Sequence, residues 1–95
     1  MLYIGICDDD EGVCAELERM LYDYAEQNKI QMDIDIWHRG ESLCRFLREK
    51  EQISDVLFLD IELLTTNGIE VGRFIREEQE NMETAIVYIS ANSSY

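Results

Sequence analysis

The sequence predicts an α/β fold, a doubly wound parallel sheet, on three observations. Short and nearly continuous apolar runs recur at 2–7, 56–59 and 85–89, as expected of strands covered on both faces. Between them, apolar residues return every three or four positions, the spacing of helices that lie against such a sheet. The two patterns alternate singly as β-α-β-α-β-α-β, and that order calls for right-handed crossovers with helices on both faces.

The first strand is LYIGIC, residues 2–7. A first helix follows from Val13, Leu17, Met20, Leu21 and Tyr24, with Asp10 and Glu11 at its start, where acids accept bonds from open N–H groups and oppose the helix dipole. Met32, Ile34 and Ile36 alternate with Asp33 and Asp35, the period of a half-exposed strand at a sheet edge. Leu43, Phe46 and Leu47 mark a second helix, and the run at 56–59 a third strand that ends in Asp60. Ile69, Gly72 and Ile75, with Val71 and Phe74 beside them, mark a third helix that Asn67 or Thr66 would cap. TAIVYIS is the fourth strand, and its outer edge is expected to be open to pairing with another chain. Met20, Met32, Trp37 and Tyr88 read as packing residues, the methionines as core.

Ninety-five residues, 46% hydrophobic, 31% charged and without proline, suit one small domain with one core. Twenty-one acidic against eight basic residues give a formal charge of −13, which repels phosphate backbones and argues against nucleic-acid binding by this stretch itself. Cys7, Cys14 and Cys44 are odd in number and lack C-x-x-C or Cys/His spacing, so they read as buried thiols rather than a disulfide framework or a zinc site. The N-terminus meets acid after seven residues, too soon for a signal peptide or a membrane span, and a cytoplasmic location is expected. His38 follows the second strand without the surrounding helix motif of a phosphorelay histidine.

Sites in open parallel sheets form beyond the carboxyl ends of strands, where strand order reverses; in a 2-1-3-4 order that point lies between the first and third strands. Those strands run into Asp8, Asp9 and Asp10 and into Asp60. Carboxylates about 4 Å apart repel by roughly 4 kcal/mol at an effective dielectric of about 20, so such a group must take up a proton or a divalent cation. An oxygen-only set suits Mg²⁺ or Mn²⁺. A cation beside a carboxylate also makes phosphoryl transfer onto Asp60 chemically accessible, with Ser90 at the end of the fourth strand as a hydrogen-bond donor to a phosphoryl oxygen. A metal-dependent phosphohydrolase of the haloacid dehalogenase type is the competing enzyme reading, but it calls for a second Asp two residues after the first, where this chain has Glu62.

The segments IGICDDDEGV, FLDIELLTTNGIEVGRFIR and AIVYISA resemble the receiver domain of bacterial two-component response regulators, with Gly68 eight and Ser90 thirty residues beyond Asp60. The resemblance implies a flavodoxin-like, CheY-like sheet in order 2-1-3-4 and a signalling module rather than an enzyme. Carried across, Asp60 is the phosphoacceptor of a sensor histidine kinase, Asp8 and Asp9 are the acidic pair with Asp9 the more direct Mg²⁺ ligand, and Glu62 contributes its backbone carbonyl. Ser90 takes the switch position that contacts the phosphoryl group, and Ala91 the small position that lets the partner approach.

ICDDD and NGIE look most like receivers of the LytTR type, whose separate output domain binds DNA and controls transcription. Leu64 stands where many receivers carry proline. The family's fifth strand, its lysine and its last helices have no counterpart, so residues 1–95 are expected to form a receiver incomplete at the C-terminus and without its output domain. The alternative within the same fold is a phosphorylation-incompetent pseudo-receiver that serves protein interaction.

Overall fold

Four apolar segments pair side by side in the computed structural model, which describes residues 1–49, 54–63 and 66–90. The elements run β1 (Leu2–Cys7), α1 (Glu11–Gln27), β2 (Met32–Trp37), α2 (Gly40–Glu49), β3 (Val56–Asp60), α3 (Gly68–Glu77) and β4 (Ala85–Ile89). All pairings are parallel and the strand order is β2-β1-β3-β4, as the sequence predicts.

The two-residue period of a strand divides each apolar run between two layers. Ile4, Ile6 and Ile34, with Val56 and Phe58, face Cys14, Leu17 and Leu21 of α1. Cys7, Leu57 and Leu59 face the other way, onto Leu43 of α2 and Val71 and Ile75 of α3. Ile6 and Leu59 are wholly buried, and each such side chain contributes about 1.5–3 kcal/mol. Trp37 closes one flank against Phe46, with ring centroids 5.0 Å apart. β2 alternates as expected, its aspartates exposed and Ile34 buried.

Helix ends follow the chemistry of the residues there. Asp10 caps α1, its Oδ1 accepting from the N–H groups of Gly12 and Val13 at 2.9 and 3.2 Å. Of the two candidates for α3, Asn67 is the cap, accepting from the N–H of Glu70 at 2.9 Å. The end of α1 is closed by Lys29 in the left-handed region, φ 55°, and by the N–H of Ile30 donating to the Ala25 carbonyl.

Several expectations of burial fail. Met20 is not core: it is 57% exposed, as is Tyr24. The buried stripe of α1 passes through Cys14 and Ala25, so the apolar pattern is wider than the face the sheet covers, and Met20 lies on its flank beside Val13, Leu17 and Ile89. Met32 is partly buried against the α1 layer, Cys44 is only half-buried, and the other two cysteines are buried. Tyr88 is 41% exposed, though its hydroxyl rests against Gly72 of α3.

β4 is the edge strand opposite β2 among the described residues, and Val87 and Tyr88 remain exposed along it. A polar knot sets its register. Asn81 Oδ1 accepts from the N–H groups of Glu83 and Thr84, Asn81 Nδ2 donates to Thr84 Oγ1 at 2.7 Å, and that hydroxyl donates to the Ser54 carbonyl at 2.6 Å. The next residue, Ala85, donates its N–H to Asp55 beside β3.

Candidate functional site

Register alone brings the acids together. β1 and β3 are neighbours and parallel, with Cys7 opposite Leu59, so Asp8 and Asp60 emerge side by side at the carboxyl end of the sheet. Asp8 lies one residue past β1, where its N–H still donates to the Trp37 carbonyl at 3.0 Å. Its Oδ1 accepts from the N–H of Asp10 at 2.9 Å, which turns the chain away from the strand. Asp60 is the last residue of β3, and its Oδ1 accepts from the N–H of Glu62 at 3.1 Å.

The turn after Asp60 folds back tightly. The N–H of Gly68 donates to the Ile61 carbonyl at 2.8 Å, and Glu62 and Asn67 form an antiparallel bridge. A Cβ at position 68 would run into the Asp60 carbonyl oxygen, so this approach needs glycine.

One oxygen from each of Asp8, Asp9 and Asp60 lies within 4.8 Å of the others. Asp8 and Asp60 are only 3% and 6% exposed. Burial is the main force on both carboxyls and raises their affinity for protons. The N–H bonds from Asp10 and Glu62 oppose it, while neighbouring carboxylates add to it. Asp60 is pushed up to about 6. Like charges at such separations repel by about 3–4 kcal/mol per pair at an effective dielectric near 20. The oxygen-only donor set fits a hard divalent cation, which relieves that repulsion with waters completing its shell.

Asp8, Asp9 and Asp60 therefore converge, and Asp10 stands apart as the helix cap. Ser90 follows Ile89, the register partner of Asp60, and so lies at the same rim. Ala91 lies outside the described residues. Two residues that the sequence assigns no part in the centre, His38 and Cys14, are its neighbours. His38 Nδ1 is 3.1 Å and Cys14 Sγ 3.3 Å from the Asp8 carbonyl oxygen. The signal for His38 was its place directly after β2, on the rim that the acids occupy; nothing local marked Cys14, which reads as an ordinary buried residue of α1.

Burial pushes the Cys7 thiol up to about 12 and the Cys14 thiol to about 11, which makes both poor nucleophiles. A concavity of about 350 Å³ between α2 and α3 is bordered by Cys44, Arg48 and Phe74 and by none of the three acids. No helix among the described residues is long and apolar enough to cross a membrane.

Comparison with known proteins agrees with this geometry. The response regulator receiver domain family matches residues 4–95. The sensory transduction protein LytT of Oceanobacillus iheyensis is 30% identical over 94 residues, 99% of this chain; the chain spans 36% of that protein's length. Among solved structures, the response regulator TrrA of Thermotoga maritima, in complex with Mg²⁺-BeF, is 25% identical with a TM-score of 0.79, covering 100% of this chain and 74% of that one. The non-phosphorylated HemR receiver domain of Leptospira biflexa, 20% identical, shares the fold with a TM-score of 0.73 over 97% of this chain and 66% of its own. With a family match over nearly its whole length and the fold and acidic rim to go with it, the chain belongs to the response regulator receiver domains of two-component systems.

Proposed function

We propose that this receiver takes a phosphoryl group onto the Asp60 carboxylate from the phosphohistidine of a sensor histidine kinase, in a reaction that depends on Mg²⁺. The convergence of Asp8, Asp9 and Asp60 within 4.8 Å carries the reading. A carboxylate oxygen of Asp60 forms the O–P bond as the donor's N–P bond breaks, and the leaving imidazole takes up a proton from solvent. With its carboxyl at about 6, Asp60 is largely ionised above pH 7 and able to attack. The Glu62 N–H fixes one of its oxygens and so limits its rotation.

Asp8, Asp9 and Asp60, with the Glu62 backbone carbonyl, would hold the cation, whose chemistry is to offset the charge of the phosphoryl oxygens and the carboxylates. Ser90 at the same rim would donate to a phosphoryl oxygen, and Ala91, by its small size, would leave the donor room to approach. In this reading the domain works in the cytoplasm and passes its state to a separate output domain of the kind suggested by the likeness to LytT, through which DNA would be contacted. Along β4, whose outer edge has no partner strand among the described residues, strand pairing with a second chain would allow self-association.

Incubation with Mg²⁺ and acetyl phosphate, followed by intact-mass analysis, tests the reading. A base-labile phosphoryl adduct is expected in the wild type and not in Asp60→Asn. An adduct that persists in Asp60→Asn, or none in the wild type, refutes it. Asp9→Ala is expected to weaken Mg²⁺ binding far more than Asp10→Ala; equal effects would overturn the ligand assignment.

A further inference from the structure

We propose that His38 and Cys14 are positioning residues for the acidic centre: their side-chain donors together hold the Asp8 carbonyl oxygen and thereby set the plane from which the Asp8 and Asp9 carboxylates project. The inference rests on the reading of that centre as a Mg²⁺-dependent phosphoacceptor.

The β1–β2 ladder continues as far as the Asp8 N–H, which donates to Trp37 at 3.0 Å. Beyond that rung, side chains take over at the Asp8 carbonyl. His38 Nδ1 lies 3.1 Å and Cys14 Sγ 3.3 Å from this one oxygen, whose two lone pairs can accept from both. A carbonyl only accepts, so Nδ1 carries the hydrogen and the thiol donates. The Nδ1 to Sγ distance of 3.8 Å is then the spacing of two donors that share an acceptor. Cys14 belongs to α1 and His38 follows β2, so this oxygen ties the end of β1 to two other elements.

The carbonyl concerned belongs to the peptide that joins Asp8 to Asp9, and a peptide is planar. Holding its oxygen therefore fixes the direction in which the chain enters Asp9. The Asp8 carboxylate has a second restraint in the Asp10 N–H. Asp9 is half-buried and depends more on the peptide plane. Mutual repulsion of the three carboxylates favours swinging Asp9 out to solvent, and the two donors oppose that motion at its pivot. Partners behind a ligand commonly matter to metal affinity nearly as much as the ligand itself.

Mg²⁺ dissociation constants measured by calorimetry on the folded chain, with thermal midpoints alongside, test this. His38→Ala is expected to weaken Mg²⁺ binding about tenfold. His38→Asn, whose amide N–H occupies nearly the place of Nδ1–H, and Cys14→Ser are expected to retain most of the affinity, whereas Cys14→Ala loses it in the same direction. A role confined to stability would lower the midpoint and leave the affinity of the folded protein unchanged. That result, or equal losses in His38→Ala and His38→Asn, would overturn the proposal while leaving the acceptor reading intact. If the wild type binds Mg²⁺ and His38→Ala binds it weakly, yet no phosphoryl group is taken up, the positioning role holds and the acceptor reading falls. Failure of the wild type to bind Mg²⁺ overturns both.

Discussion

Asp60 is expected to destabilise the domain it belongs to. Its carboxyl rises from an ordinary 3.8 to about 6, chiefly through burial and then through the neighbouring acids, against the favourable Glu62 N–H bond. At 1.36 kcal/mol per pH unit, that rise makes the ionised carboxylate about 3 kcal/mol less favourable in the folded chain than in the unfolded one. The sign follows from proton uptake. Between pH 4 and 6 the folded state holds a proton that the unfolded state has released, so this group's contribution falls as pH rises through that window and is fully unfavourable above it. Asp60→Asn keeps an oxygen to accept from Glu62 and removes the charge. At pH 7.5 without divalent cations it should stabilise the chain by about 3 kcal/mol, a rise of about 1–3 M in the urea midpoint. Unfolding followed by Trp37 fluorescence and far-ultraviolet circular dichroism measures the gap. The gap should close towards pH 4, and added Mg²⁺ should narrow it at pH 7.5 by stabilising the wild type. A variant no more stable than wild type at pH 7.5, or a gap independent of pH, refutes the reasoning.

Two further substitutions probe how the centre and its neighbouring strand are held. Gly68→Ala drives a Cβ into the Asp60 carbonyl, a backbone atom that cannot turn aside, and should cost about 1–3 kcal/mol in urea unfolding. Gly72→Ala meets instead the Tyr88 hydroxyl, the far end of a ring on an exposed strand that can rotate away, so its cost should be clearly smaller; equal costs would contradict this difference between the two contacts. Asn81→Ala removes the acceptor of two N–H groups and the donor to Thr84, and should destabilise by about 1–3 kcal/mol, with hydrogen exchange accelerated first in β4. Uniform exchange across the sheet would show that this knot does not fix the strand's register.

The order of elements and the convergence of Asp8, Asp9 and Asp60 were legible in the linear pattern because both depend on properties that are local or topological. Apolar runs declare strands, a 3.6-residue period declares helices, and a parallel sheet with right-handed crossovers leaves few strand orders. Once β1 and β3 are neighbours, the residues that end them must meet. Helix caps at Asp10 and Asn67 are also local, set by a side chain and the next three N–H groups.

What only the tertiary structure decided concerns how far each face is covered and which atoms close each polar group. Met20 fits the helical period of α1 as well as Leu17 does. Whether it is buried depends on where the sheet beneath the helix stops, and no periodicity records that. Cys14 and His38 lie 24 residues apart and meet at a carbonyl oxygen that bears no side-chain signature. The chain by itself determined the fold class, the strand order and the acids at the rim, since these follow from period, chirality and strand ends. Three-dimensional packing alone decided the width of the buried face, the depth at which Asp60 is held and the donors that fix Asp8, since burial and hydrogen-bond partnership are relations between distant segments.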